Sequence, residues 1–350
     1  MYFQTGPGWK IQTMSGYGTC AEKILNIMFV KGKNVIILNM LSIFSYKQQE
    51  GIQMYDIIII GAGPAGISAA IYGKSRGKRI LMLEKGQVGG LIGTVSTVTH
   101  YTAIMKEESG RTFAKRMKEQ ILSAGVEIRY ETVTETKLIG KIKKVNTDKE
   151  CYECKTVILA NGGSARMLGI PGESLKGIRL NAPKDGLDYK GKNIYIIGGA
   201  DGAVKEAIYL AGIAGRVTIV CVEDELVCIQ EFKDKAAEHH NIEIMPHSSL
   251  TAVYGNERAE ELEFTDNKTG NIQMVKDAGC GVFVYAGIVP NTQIYTELRL
   301  DNGYIPVDQC MQTEIPGVFA AGDICVKKVR QVATAVADGA IAGIQAAAMC

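Results

Sequence analysis

The chain has 350 residues, 46% hydrophobic and 22% charged, an ordinary globular composition with room for about two domains. Lys+Arg 39 against Asp+Glu 37 leaves no basic field for nucleic acid or an anionic membrane. Nine scattered cysteines, an odd count, argue against a disulfide scaffold and for reduced thiols.

Residues 1–53 carry no clear period and no recognisable motif, and their role is unassigned. Their apolar runs at 24–30 and 35–44 are split by "KGKN" and fall short of the roughly 18 apolar residues of a membrane span. No small-residue cleavage site follows, so a cytoplasmic protein without a membrane segment is expected. The leader reads as an extra helix or arm packed outside, or as a product of an upstream start or an expression tag. Its "YFQ" at 2–4 resembles a protease-tag remnant, and Met54 is a natural start.

From Tyr55 the punctuation is clear. A short apolar run over 56–60 suits a strand buried on both faces of a parallel sheet. A helix over 64–76 and a strand over 79–84 follow. The same order returns at 193–197, 203–214 and 217–220, an internal duplication of a βαβ unit. Strand-like stretches lie between the units at 126–138, 141–145 and 156–160, and after the second at 242–245, 262–264, 272–276 and 282–284. "GVFAAGD" and an alanine-rich helix over 332–349 close the chain. The expected fold is α/β: two Rossmann-like, three-layer ββα dinucleotide-binding domains, the second inserted in the first. The expected boundaries are 54–166 with 285–350 for the first domain and 167–284 for the second.

"IIIIGAGPAG" sets Gly61, Gly63 and Gly66 at G-x-G-x-x-G spacing between a strand and a helix. Gly61 allows the tight turn, Gly63 the approach of a pyrophosphate, and Gly66 close helix–strand packing. The helix N-terminus offers free N–H groups to phosphates. Glu84, 23 positions after Gly61, ends the next strand where a carboxylate binds ribose hydroxyls.

The second loop, "IIGGADGA", is poorer. Gly198 matches Gly61, but Ala200 replaces Gly63 and Ala203 replaces Gly66. Alanine is allowed in the third slot; in the second it adds a methyl where the pyrophosphate needs room. Counting 23 on from Gly198 gives Cys221, with Glu223 two further on. No Arg or Lys stands near this strand end in the sequence, so a 2′-phosphate would face Glu223 and Asp224. NADPH is disfavoured. NADH bound through Gly198, Ala200, Asp201 and Glu223, or a retired site that keeps its fold, both remain open.

Together, "YDIIIIGAGPAGISAAIY", "LEKGQVGGLIG", "VILANGGSARMLGIPGE", "GKNIYIIGGADGAVKEAIYL", "GVFVYAGIVPNT" and "GVFAAGDICVKKVRQVATAVADGAIA" resemble the low-molecular-weight thioredoxin reductases, over Tyr55 to the C-terminus. The resemblance implies FAD in the first domain, on the Gly61–Gly66 loop with Pro64 and Ala65 and on Glu84. Gly89 and Gly90 would run beside the isoalloxazine. Asp323, after Gly322, would bond the ribityl chain, and Arg330, Gln331 and Val332 would cover the pyrimidine edge. There the closing helix points its positive end at the site where reduced flavin gathers charge. Lys85, Leu91, Thr94 and Val133 are further FAD contacts by resemblance, as are Ala160, Asn161, Gly162 and His100.

The family also implies a homodimer through the FAD domains and a swivelling second domain with a Cys-x-x-Cys pair. Here Asn181 and Lys184 occupy the cysteine slots, and neither forms a disulfide. Cys221-Val222-Glu223 stands where the family binds the 2′-phosphate. His100 replaces an Asn and Asn161 a Thr; His100 would tune the flavin or hydrogen-bond it as a neutral ring. Cys151 and Cys154 form the one C-x-x-C, in an extended segment whose positions three apart point to opposite faces. Cys221 and Cys228 are either a relocated pair or buried thiols, and Cys350 lies where some relatives carry a redox tail. No cysteine has metal-ligand spacing with His.

The expected activity is FAD-dependent oxidoreduction resembling thioredoxin-disulfide reductase, passing electrons from NADH or another donor to a redox partner protein or small acceptor. The alternatives are a flavoprotein fed by a ferredoxin-type one-electron donor, with the nicotinamide site retired, and a non-catalytic flavin-binding subunit.

Overall fold

The computed structural model describes residues 10–15, 25–31, 34–39 and 54–350. The "YFQ" stretch lies outside them. The chain divides into two units, Met1–Met54 and Tyr55–Cys350. The described part of the first is an antiparallel meander of β1 (Lys10–Ser15), β2 (Leu25–Lys31) and β3 (Asn34–Asn39). It is strand, where a helix or arm was expected: stretches such as "LNIMFVK" and "NVIILN" are rich in residues that favour a pleated surface.

The second unit opens with β4 (Tyr55–Ile60), α1 (Pro64–Lys74) and β5 (Ile80–Glu84). Then come α2 (Gly110–Ser123), β6 (Glu127–Tyr130), β7 (Val133–Lys137), β8 (Lys143–Thr147), β9 (Cys151–Leu159) and β10 (Gly163–Ala165). The duplicated unit follows as β11 (Ile178–Arg179), α3 (Ala182–Asp185), β12 (Asn193–Ile197), α4 (Asp201–Ala211), β13 (Arg216–Val220), α5 (Gln230–Ala237) and β14 (Ile242–Met245). β15 (Ser248–Tyr254), β16 (Glu261–Asp266) and β17 (Ile272–Lys276) make an antiparallel sheet. The chain ends with β18 (Gly281–Val284), β19 (Ile288–Pro290), β20 (Val318–Ala320) and α6 (Val332–Met349).

A seven-stranded sheet runs β6-β5-β4-β9-β8-β7, with β20 beside the second half of β9. A five-stranded parallel sheet runs β11-β18-β12-β13-β14. Because β20 returns to the first sheet after β18 has joined the second, the second lobe is inserted in the first. The apolar run of β4 is buried on both faces, as read from sequence. Ile57 and Ile59 pack under the helices, and Ile58 and Ile60 on the core that holds Tyr295 and Ile305. α2, α5 and β15 went unread: α2 does carry a helical period, with Phe113, Met117 and Ile121 buried on one face, whereas α5 is short and half charged.

α6 is long and apolar enough to cross a membrane by length and composition, the one such helix among the described residues. It packs instead along α1, which it approaches closely because Gly339 and Gly343 present no Cβ to the Ala65 and Ala69 carbonyls. Ser68 Oγ donates to the Val336 carbonyl at 2.7 Å across the seam.

Candidate functional site: two glycine loops and the lobe boundary

The first loop has the geometry its spacing predicts. Gly61 has φ +102°, and its N–H donates to the Leu83 carbonyl at 2.8 Å. A Cβ there would lie 2.5 Å from the Ala160 carbonyl oxygen. Gly63 caps α1 in extended backbone with open space above it, Pro64 takes N1, and Gly66 lies against the Gly61 carbonyl. Glu84 closes the turn: one carboxylate oxygen accepts from Ala62 N–H (2.8 Å), the other from Gly86 N–H (2.7 Å). Each oxygen keeps a lone pair for a ribose hydroxyl.

Other expected residues gather here. Gly89 N–H donates to the Ala62 carbonyl (2.8 Å), and Gly90 packs on Gly63. Ala160 and Asn161 line the back of Gly61, and Gly322 touches the Ala65 methyl. Val133 opens β7 two residues after Glu131, whose N–H bonds the Glu84 carbonyl. Leu91 and Thr94 lie in the helical turn after Gly89, where Thr94 Oγ1 donates to the Leu91 carbonyl. Lys85 is exposed on the turn after β5.

Asn161 is engaged by protein: it accepts from Tyr295 Oη at 2.6 Å and donates to the Asn291 carbonyl, while Gly162 accepts from Asn291 N–H. Arg330 braces the Asp323 turn, donating to the Asp323 and Cys325 carbonyls and lying 4.1 Å over the Tyr304 ring. Gln331 caps α6, so Val332 begins that helix.

Whether these residues fit a flavin dinucleotide is decided at Asp323. It is mostly buried, and its Oδ1 has no hydrogen-bond partner in the protein. Burial pushes its carboxyl above the ordinary range, against the pull of Lys327 and Arg330. An unpaired buried oxygen is costly, and a hydroxyl-bearing ligand satisfies it. With the open space over Gly63, the residues fit the group.

The second loop copies the first. Gly198 has φ +135°, its N–H donates to the Val220 carbonyl (2.9 Å), and a Cβ there would meet the Tyr285 carbonyl oxygen at 2.5 Å. Ala200 caps α4 in the extended backbone of Gly63, so its methyl costs room and no strain. Val227 N–H donates to the Gly199 carbonyl as Gly89 does to Ala62. Asp201 accepts from Ile229 N–H at 2.9 Å. Cys221 takes the place of Glu84 against Gly199, and a Cβ on Gly199 would sit 3.6 Å from Glu223 Oε2.

One sequence expectation is corrected here. A cation does reach this strand end: Lys268, from the β16–β17 turn, pairs with Asp224 at 3.0 Å, and His247 Nδ1 lies 2.9 Å from the same carboxylate. Both come from distant sequence, and Asp224 takes up the Lys268 charge.

His100 reaches across to the second lobe. Its Nε2 lies 3.3 Å from Glu231 Oε2 and its ring 5.9 Å from Phe232, both on α5 of the second lobe. Beside it, Ser96 N–H donates to Glu206 Oε1 (2.9 Å) and Lys205 Nζ to the Thr97 carbonyl (2.9 Å). Glu206 is 2% exposed, and its Oε2 and Ser96 Oγ are both unpartnered. Sequence reading missed this lobe contact.

In the cysteine slots, Asn181 caps α3, its Oδ1 accepting from Lys184 N–H at 3.0 Å. Ala182 N–H donates to Tyr285 Oη at 3.2 Å. Every described cysteine is a free thiol. Cys151 is exposed and Cys154 buried, on opposite faces as expected. Burial raises the thiols of Cys154, Cys221, Cys228 and Cys350, so none of them is primed as a thiolate. Among the described residues no His, Cys, Asp or Glu group could hold a metal.

The sequence profile of the pyridine nucleotide-disulphide oxidoreductases matches residues 55–339. A thioredoxin reductase of Peptoclostridium acidaminophilum is 38% identical over 302 residues, 84% of this chain and 96% of that protein. The chain belongs to the low-molecular-weight thioredoxin reductase family. It is an FAD-dependent oxidoreductase of that type. The thioredoxin reductase of Lactococcus lactis, in its FR conformation, superposes with a TM-score of 0.81 at 32% identity, covering 84% of this chain and 98% of its own. That of T. acidophilum superposes at 0.79 with 30% identity, covering 85% and 98%.

Proposed function

We propose that this protein is an NADH-linked flavoprotein reductase that passes electrons from flavin to its acceptor without a dithiol relay of its own. Asn181 carries this reading: it stands in a cysteine slot and serves as the cap of α3. The acceptor is then a partner protein that brings its own disulfide, or a small quinone-like molecule.

The FAD domain is assigned to 54–166 with 285–350, and the nucleotide domain to 167–284. The Gly61–Gly66 loop and the N-terminus of α1 would hold the pyrophosphate, Glu84 a ribose and Asp323 the ribityl hydroxyls. When bound, FAD supplies two-electron and one-electron redox chemistry. The N-terminus of α6 would set its positive end against the charge that gathers on reduction. Glu223 would take the ribose hydroxyls of NADH and repel the 2′-phosphate of NADPH. A cytoplasmic homodimer is the matching assembly.

An anaerobic titration tests this. NADH should bleach the flavin band and NADPH should do so far less well; bleaching by dithionite alone would remove NADH from the scheme. A ferredoxin-type one-electron donor is the second reading, favoured by the methyl of Ala200 over the loop and by the buried contacts that hold α4 to residues 96–97.

A further inference from the structure

We propose that Tyr285 fills the nicotinamide half of the second nucleotide crevice and sets whether, and how well, a nicotinamide enters. The inference rests on reading that crevice as a nucleotide site.

It comes from the internal duplication. Ala160 N–H donates to the Ile60 carbonyl at 2.8 Å, and Tyr285 N–H donates to the Ile197 carbonyl at 2.8 Å. The carbonyls of Ala160 and Tyr285 face Gly61 and Gly198 at the same 2.5 Å from a would-be Cβ. Tyr285 is therefore the second lobe's counterpart of Ala160. Where the first crevice has a methyl, the second has a phenol.

The sheet order says which half of the crevice this is. From β12 the chain passes through α4 to β13 on one side, while β18 lies on the other, so the strand order reverses between β12 and β18. A dinucleotide lies across such a switch point at the C-terminal strand ends. Glu223, just beyond the end of β13, marks the adenosine half. The other half falls over the end of β18, and the residue there is Tyr285.

The side chain is held in place. It packs against the core that holds Ala203, Val204 and Ala207 of α4. Its hydroxyl accepts from Ala182 N–H, so the ring spans the gap from the β18 end to α3. Burial first, and the Glu206 carboxyl second, raise the phenol above its ordinary range. Ser96 N–H of the other lobe donates to that Glu206 carboxylate at 2.9 Å. A nicotinamide ring needs this space, so the phenol must leave before the ring enters.

The test is calorimetric titration of the FAD-loaded protein with NADH and, separately, with ADP-ribose, which lacks the nicotinamide. Wild type, Tyr285→Ala, Tyr285→Val and Tyr285→Phe are compared. The alanine variant restores the residue of the first lobe; the valine variant serves if alanine loosens the fold, judged by thermal melting and the flavin spectrum. NADH affinity should rise at least about tenfold in the alanine or valine variant, stay near wild type with phenylalanine, and ADP-ribose affinity should not change. Unchanged or weaker NADH binding in well-folded alanine and valine variants, with ADP-ribose bound by all, overturns the role of Tyr285 alone. Binding of neither ligand by any variant overturns the nucleotide reading, and this inference with it. Tight NADH binding by Tyr285→Ala with no flavin reduction in wild type supports the inference while removing NADH as the natural donor.

Discussion

Ser96 N–H donates to the Glu206 carboxylate across the boundary between the lobes at 2.9 Å, yet the second oxygen of that carboxylate, fully buried, has no partner. A charge so placed lacks one of the bonds it needs. Burial raises the Glu206 carboxyl, with the Ser96 bond and Lys205 pulling the other way. The folded state thus binds its proton more tightly than the unfolded chain does. That stabilisation is complete below the ordinary carboxylate range and is lost as pH rises through the raised value. Burial also lowers neighbouring Lys205, against the pull of Glu206 and Asp201. Thermal melts should therefore show wild type losing stability as pH rises above the ordinary carboxylate range. Glu206→Gln, which keeps an acceptor for Ser96, should remove most of that slope. An equal slope in both proteins would exclude Glu206 as its source.

Asp323→Ala separates flavin binding from folding. The substitution removes a carboxylate whose buried Oδ1 has no protein partner. Apoprotein stability should hold or rise, because the desolvation penalty goes with the side chain. FAD affinity should fall by about tenfold or more, the loss of one charge-assisted hydrogen bond of about 1.4 kcal/mol. Fluorescence titration of apoprotein with FAD and a melt of the same sample read both. Loss of stability without loss of affinity would assign Asp323 to the fold instead.

The two glycine loops were legible because local backbone geometry dictates them: Gly61 and Gly198 hold positive φ in a tight turn after a strand, a conformation that favours glycine. The apolar run of β4 and the acid at Glu84, 23 positions after Gly61, were legible because each is a short-range pattern. The Ser96–Glu206 bond joins positions 110 residues apart. The Lys268–Asp224 pair and the Tyr285–Ala182 bond are equally non-local. None leaves a period or spacing in the chain. His100 shows the limit of resemblance. Its slot was known, but the carboxylate and ring of α5 that hold it are visible only once the lobes pack.

Glu223→Arg should shift nucleotide preference. Glu223 Oε2 lies beside the Gly199 turn, where the proposed NADH would set its ribose. Replacing its charge with a guanidinium removes repulsion toward a 2′-phosphate and supplies a partner for it. The ratio of NADPH to NADH in flavin reduction should rise by about tenfold or more, about 1.4 kcal/mol of discrimination. An unchanged ratio would place the ribose elsewhere.

Gly339→Ala tests how far the first site depends on the α1–α6 seam. A methyl on Gly339 would overlap the Ala65 carbonyl and crowd Ser68 Cβ. Neither neighbour can yield easily: Ala65 lies in the first turn of α1, directly after the glycine loop, and Ser68 is tied to the Val336 carbonyl. The helices must separate, and overpacking of this kind costs about 1–3 kcal/mol. The melting temperature should fall by at least about 3 °C. Because the displaced turn carries Ala65, which also touches Gly322, the shift should reach both ends of the flavin site. FAD affinity should drop together with stability, in contrast to Asp323→Ala, where the two part company. A variant that loses stability but keeps full FAD affinity would show that the loop is set by β4 and β5 alone.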